Sequence, residues 1–222
     1  MYLNKMIYQV WEELEGLHIT DDTKFTYDFI KDKLIMWNNT LVSEAYNAKM
    51  PLDGFYMIMN GNVVEKVDDT QVIDGITFTK DTGYWMTTPP KLVNTIGWNE
   101  ISYFGTTDLK NNFVRRSVNG LKSHDYARWN IHTTSYARAG ETIVMQSIPY
   151  TGFKLATLIG VPVDPTSVTG WSADDEQEFP TPSPAKLMML VKKDILSTIG
   201  KSDVINDAQD KINIPQQQEA KQ

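Results

Sequence analysis

Cysteine is missing from all 222 residues, which excludes disulfides, thiolate metal sites and a cysteine nucleophile. Histidine is nearly missing: His18, His124 and His132 are the only three, and the spacing of the last two fits no common zinc-ligand pattern. No apolar run approaches the ~20 residues a bilayer requires, and Met1 to Met6 is already amphipathic rather than signal-like. A soluble, unexported chain without a membrane anchor is therefore expected. The strings G-x-x-x-x-G-K-S/T, G-x-G-x-x-G, G-x-S-x-G and H-E-x-x-H do not occur. Adjacent carboxylates are present as Asp21-Asp22, Asp68-Asp69 and Asp174-Asp175, but all three pairs sit in turn-like sequence and read as solvated turns. Asp203, Asp207 and Asp210 lack the glycine-centred loop of an EF-hand. These absences predict a protein that is not an enzyme and carries no cofactor or metal. A glycosidase using two distant carboxylates, in a cleft lined by some of the 6 Trp and 10 Tyr, is the enzymatic rival.

What is present is a pattern of elements. Leu3, Met6, Ile7, Val10, Trp11 and Leu14 repeat at three and four residues, the spacing of one helical stripe, and Gly16 closes that helix. Thr20 to Thr23 offers capping oxygens to a second helix with the stripe Ile30, Leu34, Trp37 and Leu41, and Pro51 lies beyond its end. From Gly54 the period changes. Phe55 to Met59 and Val63 to Val67 flank Asn60-Gly61, predicting a hairpin, and Ile76 to Thr79, Asp81-Thr82-Gly83 and Tyr84 to Met86 predict another. Further strands are expected at Ile101 to Phe104, Thr142 to Gln146 and Leu155 to Val161, with Thr88 to Leu92 breaking the sheet at its prolines. Ser183-Pro184 starts a last helix with the stripe Leu187, Met188, Val191, Ile195 and Ile199, capped by Gly200.

The fold class read from this order is α+β, with an N-terminal helical pair, a central mostly antiparallel β body, a C-terminal helix and an extended tail. A single domain is expected over 1–200 (helical 1–50, β-rich 53–165, linker 166–183, helix 184–199), followed by a tail at 201–222 that is flexible or ordered by a partner.

Charge is segregated along the chain. All four arginines, Arg115, Arg116, Arg128 and Arg138, fall between Leu109 and Gly140, where six basic residues face the single acid Asp125: a balance of +5, against −12 for the rest and −7 overall. Arginine suits flat contacts with carboxylate or phosphate and stacking on aromatics such as Tyr126, Trp129 and Tyr136 in the same window. Three readings stay open: pairing with an acidic segment such as Asp174, Asp175, Glu176 and Glu178, in this chain or in a neighbouring copy; contact with nucleic acid, which the net charge disfavours; or a solvated loop.

Several stretches together resemble one family. They are the opening helix running into Ile19 to Thr23, the helix end at Leu41 to Tyr46 leading to Pro51 to Tyr56, and Thr88 to Leu92. Ile101 to Asp108 follows, then Val161 to Pro165 leading to Ala185 to Leu187 and to Asp203 to Ala208. The chain resembles the neck or ring proteins of tailed bacteriophages, most closely those of crAss-like phages. That resemblance implies a non-enzymatic virion protein, a dodecameric head-to-tail connector ring stacked under the portal and lining the DNA channel, made in the host cytoplasm. Its partners would be further copies of itself, the portal, other neck and tail rings, and passing DNA. The arginines and the acids Asp174, Asp175, Glu176 and Glu178 become subunit-interface candidates, and Ile205, Asn206 and Asp207 become partner-docking candidates. A carbohydrate-binding or adhesin module is the alternative.

Overall fold

Helices come first and last along the chain, and strands occupy the middle. The structure is a computed structural model that describes residues 1–16, 25–67, 70–73, 75–78, 84–93, 100–122, 133–146, 153–171 and 178–198. The chain is α+β, as its periodicities predict. The chain divides into two compact units, Met1–Glu44 with Ser172–Gln222, and Ala45–Trp171. The tail expected after 200 lies outside the described residues.

The first unit is helical. Helix α1 (Leu3–Glu15) buries Leu3, Met6, Ile7, Val10 and Leu14, leaving Trp11 at the edge of the predicted stripe. Helix α2 (Tyr27–Asn47) starts at Thr26, whose hydroxyl accepts the Phe29 amide at 3.2 Å, and buries Ile30, Leu34, Asn38, Leu41 and Val42. The cap predicted at Thr20 to Thr23 lies outside the described residues. The C-terminal helix of the chain (Pro184–Thr198) begins at the predicted proline and buries Leu187, Val191, Ile195 and Leu196. It packs against α1. Polar ties add to the apolar stripes: Lys33 Nζ and Trp37 Nε1 both donate to one oxygen of Asp194, at 2.8 and 3.2 Å. Lys192 also pairs with Glu13, and Tyr27 donates to Asn4.

The second unit is built on two sheets. One takes the order β1-β10-β6, from β1 (Met57–Val63), β10 (Leu155–Gly160) and β6 (Ile101–Gly105), all antiparallel. The other has the order β2-β5-β9-β8-β7, from β2 (Glu65–Lys66), β5 (Trp85–Thr87), β9 (Thr142–Gln146), β8 (Ser135–Ala139) and β7 (Val114–Arg115); only β7 and β8 run parallel. Strands β3 (Gln71–Ile73) and β4 (Ile76–Phe78) form a separate hairpin, and a short helix α3 (Val118–Lys122) follows β7. With α3 placed, the C-terminal helix is α4.

The five-stranded sheet is buried on both faces. Tyr136, Ile143 and Met145 join Met59, Phe104 and Leu158 of the three-stranded sheet in one core. Ala137, Ala139 and Val144 pack on the opposite side with Val67, Tyr84, Phe78 of the hairpin and Leu121 of α3. A strand covered on both faces loses the alternation that marks a half-exposed one. That explains why Ser135 to Ala139 escapes a sequence reading.

Both predicted hairpins are corrected. Asn60-Gly61 is a bulge inside β1, with Gly61 at φ +73°, and not a turn between partner strands. The Asn62 side chain donates to the Met59 carbonyl at 2.7 Å, and the Thr157 hydroxyl donates to Asn60 at 2.9 Å, holding the bulge against β10. The chain then crosses at Val64 to the other sheet, where β2 pairs with β5. Tyr84 to Met86 likewise pairs with β2 and β9, while Ile76–Phe78 pairs back to Gln71–Ile73.

Candidate interaction surfaces

Strand β8 carries the best-defined charged group. With a period of two, Tyr136 and Arg138 share the face turned to the main core. Arg138 Nη1 donates to Glu100 Oε1 at 2.8 Å, and its Nε donates to the Gly140 carbonyl at 2.8 Å. Glu100 is fully buried and Arg138 is 12 % exposed. Glu100 immediately precedes β6, so this ion pair links the two sheets. The Glu100 carbonyl accepts the Val161 amide at 2.8 Å, and a Cβ at Gly160 would stand 2.8 Å from that same oxygen, which only glycine tolerates.

Arg138 is therefore held inside its own unit, where the carboxylate it meets is Glu100. Glu100 escaped the sequence reading; its one signal is an acid set directly against a strand-forming run. Arg116 lies beside β8, donating Nε to the Ser135 hydroxyl at 3.1 Å and its backbone amide to the Tyr136 carbonyl at 2.8 Å. Arg115, paired in register with Tyr136, is half-buried. Burial pushes the Tyr136 phenol up to about 12, opposed by the Arg115 charge and assisted by Glu100. Three of the four arginines thus lie on or beside β7 and β8; Arg128 lies outside the described residues.

The acidic candidates are placed only in part. Asp174, Asp175 and Glu176 lie outside the described residues, as do Ile205, Asn206 and Asp207. Glu178 is 78 % exposed in the helical unit, and its carboxylate meets the Met1 amino group at 2.8 Å. That hydrogen bond and charge hold its pKa below the usual carboxylate range. Among the described residues no three His, Asp or Glu side chains come together as a metal site would require, and no helix is long and apolar enough to cross a membrane.

Two surfaces emerge that the sequence did not single out. On the helical unit, Tyr8 stacks on Trp11 with ring centroids 6.5 Å apart, Phe25 stacks on Phe29 at 5.6 Å, and Lys33 Nζ lies 5.7 Å from the Phe29 ring centre. On the sheet unit, the outer edge of β1 opens onto a groove of about 540 Å³, lined by Met59, Asn62, Glu65, Thr87, Pro89 and Val168 among others. The Thr87 hydroxyl is buried and has no hydrogen-bond partner among the described residues.

Comparison with models of known protein families and with curated proteins finds no match.

Proposed function

We propose that the chain is a structural virion protein that forms an oligomeric ring in the neck of a tailed phage, joining portal and capsid to tail and lining the DNA channel. The observation that carries this reading is aromatic surface held in order yet left in solvent on the helical unit. Tyr8 is 53 % exposed while stacked on Trp11, and Phe29 is 37 % exposed while stacked on Phe25. Rigid aromatic side chains on an open face are the usual anchors of protein interfaces. A ring repeats one heterologous contact until it closes, so each copy needs two unlike surfaces. The aromatic helical face and the arginine-bearing β7–β8 edge supply two such surfaces. The resemblance to crAss-like neck proteins supplies the particular assembly, with the portal and neighbouring rings as partners, the virion neck as its location and the host cytoplasm as its place of assembly. The net charge of −7 suits a channel wall that must let DNA pass without holding it.

Negative-stain imaging and native mass spectrometry of the purified protein, alone and with candidate portal, test the proposal. Closed assemblies of one uniform copy number are expected in at least one of the two samples. A monomer in both would overturn it. Replacing Arg115 and Arg116 with glutamine is expected to weaken assembly and leave the monomer folded; rings formed as readily as by the unmodified chain would remove these arginines from the interface. Saturable binding in a glycan screen would favour the adhesin alternative.

A further inference from the structure

We propose that the open edge of β1, with the groove beside it, accepts an extended strand from a second copy of this chain, namely the segment Lys211–Ile214. The edge comes first. β1 is the terminal strand of its sheet, and nothing pairs with its outer side among the described residues. Ile58 and Val63 stand 53 % and 59 % exposed on it. A free strand edge is a row of unsatisfied amides and carbonyls, and proteins usually shield such an edge with lysine or proline, or by covering it. The seven residues Met57–Val63 contain neither, and only the Asn60-Gly61 bulge interrupts them.

The groove gives that edge depth. Its floor includes Met59, Thr87 and Val168, which are 1 %, 3 % and 4 % exposed, and its volume of about 540 Å³ falls in the range of built ligand sites. Strand addition uses these two elements together: backbone hydrogen bonds along the edge and a pocket for alternate side chains.

The occupant follows from chemistry. Among the described residues, Glu65 is the only charged side chain lining the groove, which favours a strand that carries a cation. Lys211-Ile212-Asn213-Ile214 alternates polar and apolar residues, starts with a lysine and is stopped by Pro215. As a strand it would span about 13 Å and put both isoleucines on one side, suited to Met59 and Val168, with Lys211 free to meet Glu65. Donation by a second copy is a head-to-tail contact, the kind a ring repeats; that choice of donor rests on the ring reading, whereas the groove's fit to a strand does not.

The test uses the full chain with the photo-crosslinker p-benzoylphenylalanine at Val63, and separately at Ser167, in an equal mixture of isotopically heavy and light protein. Irradiation followed by mass spectrometry is expected to join these positions to peptides containing Lys211–Ile214 across heavy and light chains. The double variant I212D/I214D is expected to lower that yield about tenfold, with the circular dichroism of the protein unchanged. Crosslinks confined to one isotope, crosslinks only elsewhere, or a yield indifferent to I212D/I214D would overturn the inference. Mixed-isotope crosslinks in a species that never closes would keep the strand contact and remove the ring; closed rings without these crosslinks would do the reverse.

Discussion

The two units of this chain solve the same problem, burying apolar surface, with opposite use of polar groups. In the helical unit the polar ties lie at the margin: Lys33 and Asp194 meet with a quarter or less of each side chain exposed, and Lys186 and Glu44 are 3.7 Å apart with more than half of each in solvent. The Lys186 pair adds little, because water already stabilises both partners, and Lys33 keeps a path to solvent if its partner is lost. In the sheet unit Lys91 and Glu141 form a comparably exposed pair, but a second tie is interior, a fully buried Glu100 bound by Arg138. A marginal pair trims stability when lost; an interior pair leaves an uncompensated charge where no water reaches. The helical unit should therefore tolerate polar substitution far better than the sheet unit.

The sharpest way to break that contrast is Arg138→Gln. Removing one partner of a buried pair costs about 3–5 kcal/mol. Denaturant unfolding followed by amide exchange should show lost protection in β6, β8 and β9 while α1 and α4 keep theirs. The double replacement Arg138→Met with Glu100→Leu should recover most of the loss, since an apolar pair of similar size demands no desolvation of charge. A single Arg138→Gln variant as stable as the unmodified chain would remove the distinction between the units.

Tyr136 provides a pH-dependent version of the same test. Its folded pKa is raised from 10.0 to about 12, so the contribution is fully present below pH 10 and is lost as pH rises toward the folded value. Stability should fall by about 2–3 kcal/mol between pH 10 and 12 from this group. Tyr136→Phe should flatten that part of the profile, measured as the denaturation midpoint against pH.

The smaller effect belongs to the helical unit. Asp194→Ala removes the acceptor of both Lys33 and Trp37. It should cost about 1–2 kcal/mol, well below the Arg138 variant, because Lys33 can turn to solvent and only the indole N–H is left short of a partner. A loss equal to that of Arg138→Gln would mean that Asp194 is an interior residue in energetic terms.

The same contrast decides what could be read from the sequence. α1 and α4 show a stripe with polar residues opposite, and Pro184 marks the start of α4. In the sheet unit, strand existence is legible at β6, β9 and β10, but pairing is not. Asn60-Gly61 carries the dipeptide of a tight turn; the chain runs straight through it because Asn62 and Thr157 bind the bulge to β10. β8 hides because both of its faces are buried and its arginine resembles surface sequence. The charge segregation was visible, but the carboxylate meeting Arg138 was not, since Glu100, just before β6, comes to it only where the two sheets share a core.

The finest test lies at the end of α2, where the helical signal hands over to the sheet unit. The Met50 amide donates to the Ala45 carbonyl at 2.9 Å and the Lys49 amide to Tyr46 at 3.0 Å, the two bonds of a Schellman cap. That cap requires a left-handed residue, and Lys49 occupies it at φ +57°. A side chain there strains the backbone where glycine would not. Lys49→Gly should stabilise the protein by about 1 kcal/mol, less the extra entropy that glycine gives the unfolded chain. An upward shift of the denaturation midpoint, with the unfolding slope unchanged, is the expected reading. A downward shift would show that the lysine makes a contact worth more than the strain it causes, and would place part of the connection between α2 and β1 in that side chain.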